Sequence, residues 1–238
     1  MRIRFIHIAF IFHFSFFTFH LHAQQTEKVY LSGTGSDNTK QWEFMCTGGM
    51  NANKWTTIPV PSCWELQGFG KYDYGFAKDS VRGKEKGLYK YSFNVPASWK
   101  GKVINIVFEG SMTDTEVKIN GKPAGTKHRG AFYRIKYNIT DKIKFGASNL
   151  LEATVSKMSE DESVNNAERL ADYWVFGGIF RPVYLEAVPK EHIDHVSINA
   201  KADGSFNMNI FLNQINSNKN LVVEIRNDKN KKRRHPEN

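Results

Sequence analysis

What most restricts this chain is a succession of short alternating apolar runs between residues 88 and 187, each broken by turn residues. In Leu88-Tyr89-Lys90-Tyr91-Ser92-Phe93-Asn94-Val95, the side chains of Tyr89, Tyr91, Phe93 and Val95 fall on one face. A period of two marks a half-buried strand. Pro96 ends the run and Trp99-Lys100-Gly101 turns the chain. Val103 to Phe108 reads as a more deeply buried strand, and Thr115, Val117 and Ile119 as one face of the next. Asn120-Gly121 then supplies the two positive-φ positions of a tight hairpin. Three further strands are expected along Tyr133, Ile135, Tyr137 and Ile139, along Leu151, Ala153 and Val155, and along Val183, Leu185 and Ala187. With no long amphipathic helix between them, the pattern predicts an all-β fold, an antiparallel β-sandwich or jelly roll.

The N-terminus obeys a different rule. Arg2 and Arg4 precede an almost wholly apolar stretch from Phe5 to Leu21, and Ala23 stands before Gln24-Gln25. Charged start, apolar run and small residue describe a secretory signal peptide over residues 1–23, cleaved after Ala23. The alternative is a membrane anchor, but the run is short for a span of roughly 17–25 residues, and His13, His20 and His22 interrupt it. No Cys follows the run, so a lipid anchor is not indicated. The mature chain is expected to be periplasmic or extracellular, with no membrane association once the leader is removed. Such a compartment permits a disulfide between Cys46 and Cys63. Two small buried thiols are the favoured reading, since free Cys is among the most buried residue types.

The sandwich is expected to occupy residues 24–188, and a second unit begins near Pro189. Val196, Ile198 and Ala200 alternate, Asp203-Gly204 turns, and Phe206, Met208, Ile210 and Leu212 alternate again. Leu221, Val223 and Ile225 suggest a third strand, after which residues 229–238 form a basic tail with no apolar face. Three strands make a weak domain, so residues 189–228 read as one cut short. The net charge of +9 belongs mostly to the two ends: two units lie in the leader and a net four in the tail, which leaves three for residues 24–228. A nucleic-acid partner is therefore not expected; charge alone supports only salt-sensitive, non-specific binding.

Familiar catalytic patterns are missing. Gly33-Thr34-Gly35 and Gly68-Phe69-Gly70 do not open a phosphate-binding strand-loop-helix. His192 and His195, three apart on an expected strand, would point to opposite faces and hold no zinc. No Gly-x-Ser-x-Gly elbow exists. One segment stands out: Ala171-Asp172-Tyr173-Trp174-Val175-Phe176-Gly177-Gly178-Ile179-Phe180-Arg181-Pro182 sets four aromatics around two glycines, between an acid and an Arg. Aromatic faces stack on sugar rings and carboxylates accept hydrogen bonds from sugar hydroxyls. Taken alone, the segment reads first as a strand entrance with core aromatics and a surface ion pair.

In order along the chain, Ile58-Pro59-Val60-Pro61-Ser62-Cys63-Trp64, Gly87-Leu88-Tyr89-Lys90-Tyr91-Ser92-Phe93-Asn94-Val95-Pro96, Val107-Phe108-Glu109-Gly110, Val117-Lys118-Ile119-Asn120-Gly121-Lys122 and the closing Asp172-Tyr173-Trp174 with Gly178-Ile179-Phe180-Arg181-Pro182-Val183-Tyr184-Leu185 resemble the sugar-binding domain of glycoside hydrolase family 2, the family of β-galactosidases and β-glucuronidases. The likeness covers about residues 27 to 188, and residues 190 to 228 look like the start of the immunoglobulin-like domain that follows in the family.

The resemblance implies a galactose-binding-like jelly roll and a carbohydrate partner, a β-glycoside. It also implies a retaining mechanism whose two glutamates, about 5 Å apart, sit on a later TIM barrel. The chain is expected to stop before that barrel, so no catalytic residue is assigned, and neither Glu109 nor Glu116 is put forward in their place. In the family an Asp at the position of Asp172 reaches the substrate sugar. In some β-galactosidases it also helps hold a sodium ion; no other cofactor is expected. Asp172 is thus the substrate-binding candidate, with Trp174 and Arg181 expected to hold its loop in shape. Lys84-Glu85-Lys86 replaces the Asn-Pro that galactosidase relatives often carry before the Gly-x-Tyr strand, which puts a galactose preference in question. Glu160 to Arg169 is expected to be a solvated charged loop. The expected function is the sugar-binding portion of an exported retaining glycosidase, inactive alone. The competing reading is a free-standing secreted carbohydrate-binding module.

Overall fold

The computed structural model describes residues 26–76, 83–215, 222–226 and 229. The expected leader and most of the basic tail lie outside the described residues.

Ten strands build a two-layer β-sandwich. One layer contains β1 (Glu27–Tyr30), β12 (Val183–Val188), β6 (Val103–Phe108) and β9 (Ile135–Asn138), side by side in that order. The other runs β3 (Thr56–Val60), β2 (Lys40–Cys46), β5 (Lys86–Asn94), β10 (Ser148–Ser156), β7 (Asp114–Ile119) and β8 (Lys122–Pro123). Every strand pair is antiparallel, and chain neighbours often lie far apart in the sheets, as a jelly roll requires.

The alternation seen in the sequence sets which side chains face inward. Tyr89 and Phe93 on β5, Leu151, Ala153 and Val155 on β10, and Val117 and Ile119 on β7 meet Ile104, Ile106 and Phe108 of β6 and Val183, Leu185 and Ala187 of β12 in one apolar core. Each such Leu, Ile, Val or Phe side chain removed from water contributes about 1.5–3 kcal/mol. β6 is buried along its whole length, as its unbroken apolar run suggests. Asn120 and Gly121 have φ of 52° and 77°, and the β7–β8 hairpin closes around them as expected.

Three local expectations need correction. β9 starts at Ile135, and Tyr133 is an exposed loop residue instead of a strand position. Glu160 to Glu168 is solvent-facing as expected, but it is not a loop throughout. It holds α1 (Glu162–Glu168), capped by the Asp161 carboxylate accepting from Ser163 N–H, and it ends on a buried Arg169. The third strand of the second unit is not seen, because residues 222–225 are irregular and Leu221 lies outside the described residues.

β13 (His192–Ala200) and β14 (Phe206–Asn213) form a separate two-stranded sheet with exposed Ile193, Val196, Ile198 and Phe211. A bulge between Ile193 and His195 breaks the strict alternation and leaves His192 and His195 at 4.0 and 2.8 Å from the carboxylate between them, Asp194.

Candidate functional site

Motifs far apart in sequence converge on one buried indole. Trp64 has no solvent exposure and packs against Phe44. A Cβ on Gly177 would lie 2.1 Å from the Trp64 ring, one on Gly87 2.7 Å, and one on Gly70 2.6 Å from its Nε1. The glycines of the Gly-x-Tyr strand and of the Gly-Gly pair are therefore needed for the same reason, the close approach of backbone to a bulky ring. This packing carries the chain from β11 (Trp174–Val175) across Trp64 and into β12.

Beneath it lies a buried charge cluster. The Lys157 Nζ is fully buried and sits 2.9 Å from carboxylate oxygens of Glu65, Asp73 and Glu85, all buried. It also donates to the Lys71 carbonyl. Glu65 accepts from the Gly177 N–H at 3.0 Å. Burial pushes the Glu65 carboxyl above the usual carboxylate range, with Lys157 and the Gly177 N–H pulling the other way. Burial opposes the charge on Lys157, but Glu65, Asp73 and Glu85 outweigh it and raise its pKa.

Arg169 is the second buried cation. Its guanidinium donates to the carbonyls of Lys157 and Phe176 at 2.8 and 2.7 Å, and burial lowers its pKa from the ordinary value. It ties the end of α1 to the end of β10 and to the strand-like segment after residue 173.

On this base stands a two-residue ribbon. β4 (Asp73–Tyr74) pairs with β11, Val175 opposite Asp73 and Trp174 opposite Tyr74. Alternation sends Asp73 and Val175 inward, Asp73 to Lys157, and turns Trp174 outward. Trp174 is 52% exposed and meets Tyr74 and Tyr72 edge-on at 5.5 and 6.1 Å, while Phe176 continues the row from Tyr72 at 6.2 Å. Asp172 lies on the turn into this ribbon, exposed and without a hydrogen bond or ion pair among the described residues. The turn is braced on both sides: Gly75 N–H donates to the Tyr173 carbonyl at 2.8 Å, and the Tyr173 hydroxyl donates to the Glu168 carbonyl.

Asp172 and Trp174 thus share one rigid projection, whereas Arg181 is held elsewhere. Its guanidinium donates to the carbonyls of Glu109 and Phe132 and lies 4.9 Å over the Phe180 ring. Glu109 accepts from Tyr184 and Arg134, and Glu116 pairs with Lys127, so both are engaged in ordinary side-chain pairs. Cys46 is buried and Cys63 half-buried, both free; burial lifts the Cys63 thiol to about 11.

Asp172 offers one carboxylate on an exposed turn, and among the described residues no three His, Cys, Asp or Glu side chains converge on a metal position.

Sequence reasoning missed the Lys157 cluster, although the signal was present. Leu151, Ala153, Val155 and Lys157 continue one inward alternation, and so do Tyr89, Gly87 and Glu85 on the neighbouring strand. Lys157 N–H in fact donates to the Glu85 carbonyl, extending the β5–β10 register.

Comparison with known proteins agrees with this geometry. The profile of the glycosyl hydrolases family 2, sugar binding domain, matches residues 14–189, beginning inside the apolar N-terminal stretch. A β-galactosidase of Thermoanaerobacter pseudethanolicus is 35% identical over 108 residues, 45% of this chain and 14% of that protein. A putative β-glucuronidase of Formosa agariphila is 26% identical over 209 residues, 84% of this chain. The chain spans 24% of the length of that relative. Among solved structures, a β-glucuronidase of an uncultured Clostridium superposes with a TM-score of 0.63 at 22% identity, over 89% of this chain and 37% of its own.

Proposed function

Because this chain belongs to glycosyl hydrolase family 2 through its sugar-binding domain, we propose that it forms one wall of a glycosidase active site and presents Asp172 to the sugar. The observation that carries this reading is the pairing of an exposed carboxylate, without a partner among the described residues, with an exposed aromatic row on a backbone fixed from below by buried charges. A carboxylate left free on a braced turn can accept hydrogen bonds from sugar hydroxyls without first breaking a bond within the protein. Trp174, Tyr72 and Tyr74 supply the apolar surface such a ligand or a neighbouring domain requires.

In this reading hydrolysis of the O-glycosyl bond needs two carboxylates on opposite sides of the scissile bond, supplied by sequence outside residues 1–238. The buried carboxyl groups of Glu65, Asp73 and Glu85 are all committed to Lys157. In this reading residues 1–238 hydrolyse no glycoside by themselves. The hairpin β13–β14, with its exposed apolar faces, is the beginning of an immunoglobulin-like domain. Export with cleavage after Ala23 completes the proposal, and N-terminal sequencing of the secreted protein tests that part.

Titration calorimetry of residues 24–238 with galactose and glucuronate tests the wall. One wall holds a sugar weakly, so dissociation constants above a millimolar are expected. Sub-millimolar binding that disappears in Asp172→Ala means a complete local site, and supports a free-standing carbohydrate-binding module instead.

A further inference from the structure

A second groove lies at the opposite end of the sandwich. β2 pairs with β5 only from Glu43 to Cys46, opposite Gly87 to Lys90. Beyond Lys90 the two strands separate, and Tyr91 stacks on Trp42 at 4.8 Å and 18° instead of lying beside a paired strand. β1 is the edge of the other sheet. The gap between these two edges is a groove of about 420 Å³. That volume falls in the range of roughly 300–1,000 Å³ typical of small-molecule sites.

The lining is selective. Tyr91 forms an aromatic wall, Tyr30 lines the other side with its carbonyl toward Lys40 and its ring packed on Tyr184, and Ser92, Asn94 and Ser148 stand on the rim. The hydroxyls of the two serines and the Asn94 amide are exposed, with no partner among the described residues. Lys40 is the one charged side chain on the lining. Its ammonium donates to the Tyr30 carbonyl at 2.6 Å and meets no carboxylate among the described residues. One aromatic wall, neutral hydroxyl and amide groups and one cation that meets no carboxylate among the described residues match an acidic sugar: a ring face against Tyr91, hydroxyls against Ser and Asn, a carboxylate against Lys40.

We propose that this groove binds an acidic saccharide, a sugar bearing a carboxylate, at a site separate from Asp172. The groove sits at the Asn94 and Ser148 ends of β5 and β10, and the Asp172 ribbon rests on the Glu85 and Lys157 ends. Nine residues of strand at about 3.3 Å each place the two roughly 25 Å apart. A glycan held here is anchored without occupying the wall near Asp172.

The test uses residues 24–238 with cellobiuronic acid and cellobiose, which differ in one carboxylate, followed by amide chemical shifts. Cellobiuronic acid is expected to shift the Tyr91–Asn94 amides at millimolar concentration, at least fivefold more tightly than cellobiose. Lys40→Gln removes the charge that meets the carboxylate and is expected to weaken the acidic sugar about fivefold or more while leaving cellobiose unchanged, and Asn94→Asp, which adds a negative charge to the rim, is expected to weaken the acidic sugar more than cellobiose. Asp172→Ala is expected to leave both titrations unaltered. Equal affinity for the two sugars, insensitivity to both variants, loss of binding in Asp172→Ala, or no shift at 20 mM ligand each overturns the proposal. Because Asp172→Ala moves only the other site, this failure and failure of the active-site wall are read separately.

Discussion

The Lys157 Nζ lies 2.9 Å from Oε1 of Glu65, and neither side chain is exposed to solvent. The two come from positions 92 residues apart, one at the end of β10 and the other in the short helical turn after Trp64. Glu65 then holds the Gly177 N–H, and Lys157 holds Asp73 of β4. The pair therefore fixes both backbone segments that flank β11, and through them the position of Asp172.

Removing the cation should be severe. Lys157→Met leaves three buried carboxylates without their partner, a change expected to cost about 3–5 kcal/mol. Urea denaturation measures it; a loss under 1 kcal/mol means the cluster is hydrated and does not hold the ribbon.

Glu65 gives a pH signature. Burial raises its folded-state pKa above the model-peptide value of 4.5, so the folded protein favours the protonated form. The stability this group adds is fully present below pH 4.5 and is lost as pH rises through the folded-state pKa. Glu65→Gln, always neutral, removes that dependence. Across pH 4 to 8 the stability difference should move steadily in favour of the variant. A difference moving toward the parent protein means that Lys157 dominates and the carboxyl is ionised.

Gly177 tests the packing around Trp64. A methyl group there meets the indole at 2.1 Å, so Gly177→Ala should cost about 1–3 kcal/mol or more through overpacking. Gly35, where an added Cβ meets nothing within 4 Å, is the control, and Gly35→Ala should stay within about 0.5 kcal/mol. Similar melting temperatures for the two variants refute the close-approach argument.

Asp172 should matter little to the fold. It is exposed and has no partner among the described residues, so Asp172→Asn should change stability by less than about 0.5 kcal/mol. Trp174→Ala loses two edge contacts with Tyr72 and Tyr74 and should cost about 1 kcal/mol. A large loss in Asp172→Asn makes it a structural residue.

The sandwich was legible because a strand packed on one side writes its burial into every second residue; Tyr89, Phe93, Leu151 and Val155 are inward in sequence and in structure alike. The same rule carried information that apolar patterning passes over. Glu85 and Lys157 continue the inward faces of β5 and β10, but charged residues at strand ends read as solvent-facing until their partners are known, and Asp73 and Glu65 come from irregular segments. Arg169 was hidden for the same reason: a guanidinium satisfied by carbonyls has no partner residue type to look for. Asp172 was nominated through likeness to a family, and the structure adds what motif order does not contain, a braced turn and an aromatic row.

Hydrolysis by the isolated chain tests the central claim most directly. Residues 24–238, purified and assayed with p-nitrophenyl β-galactoside and p-nitrophenyl β-glucuronide, should release nitrophenol no faster than buffer. Turnover that follows the protein through a second purification contradicts the account, because a complete pair of catalytic carboxylates then lies within this sandwich.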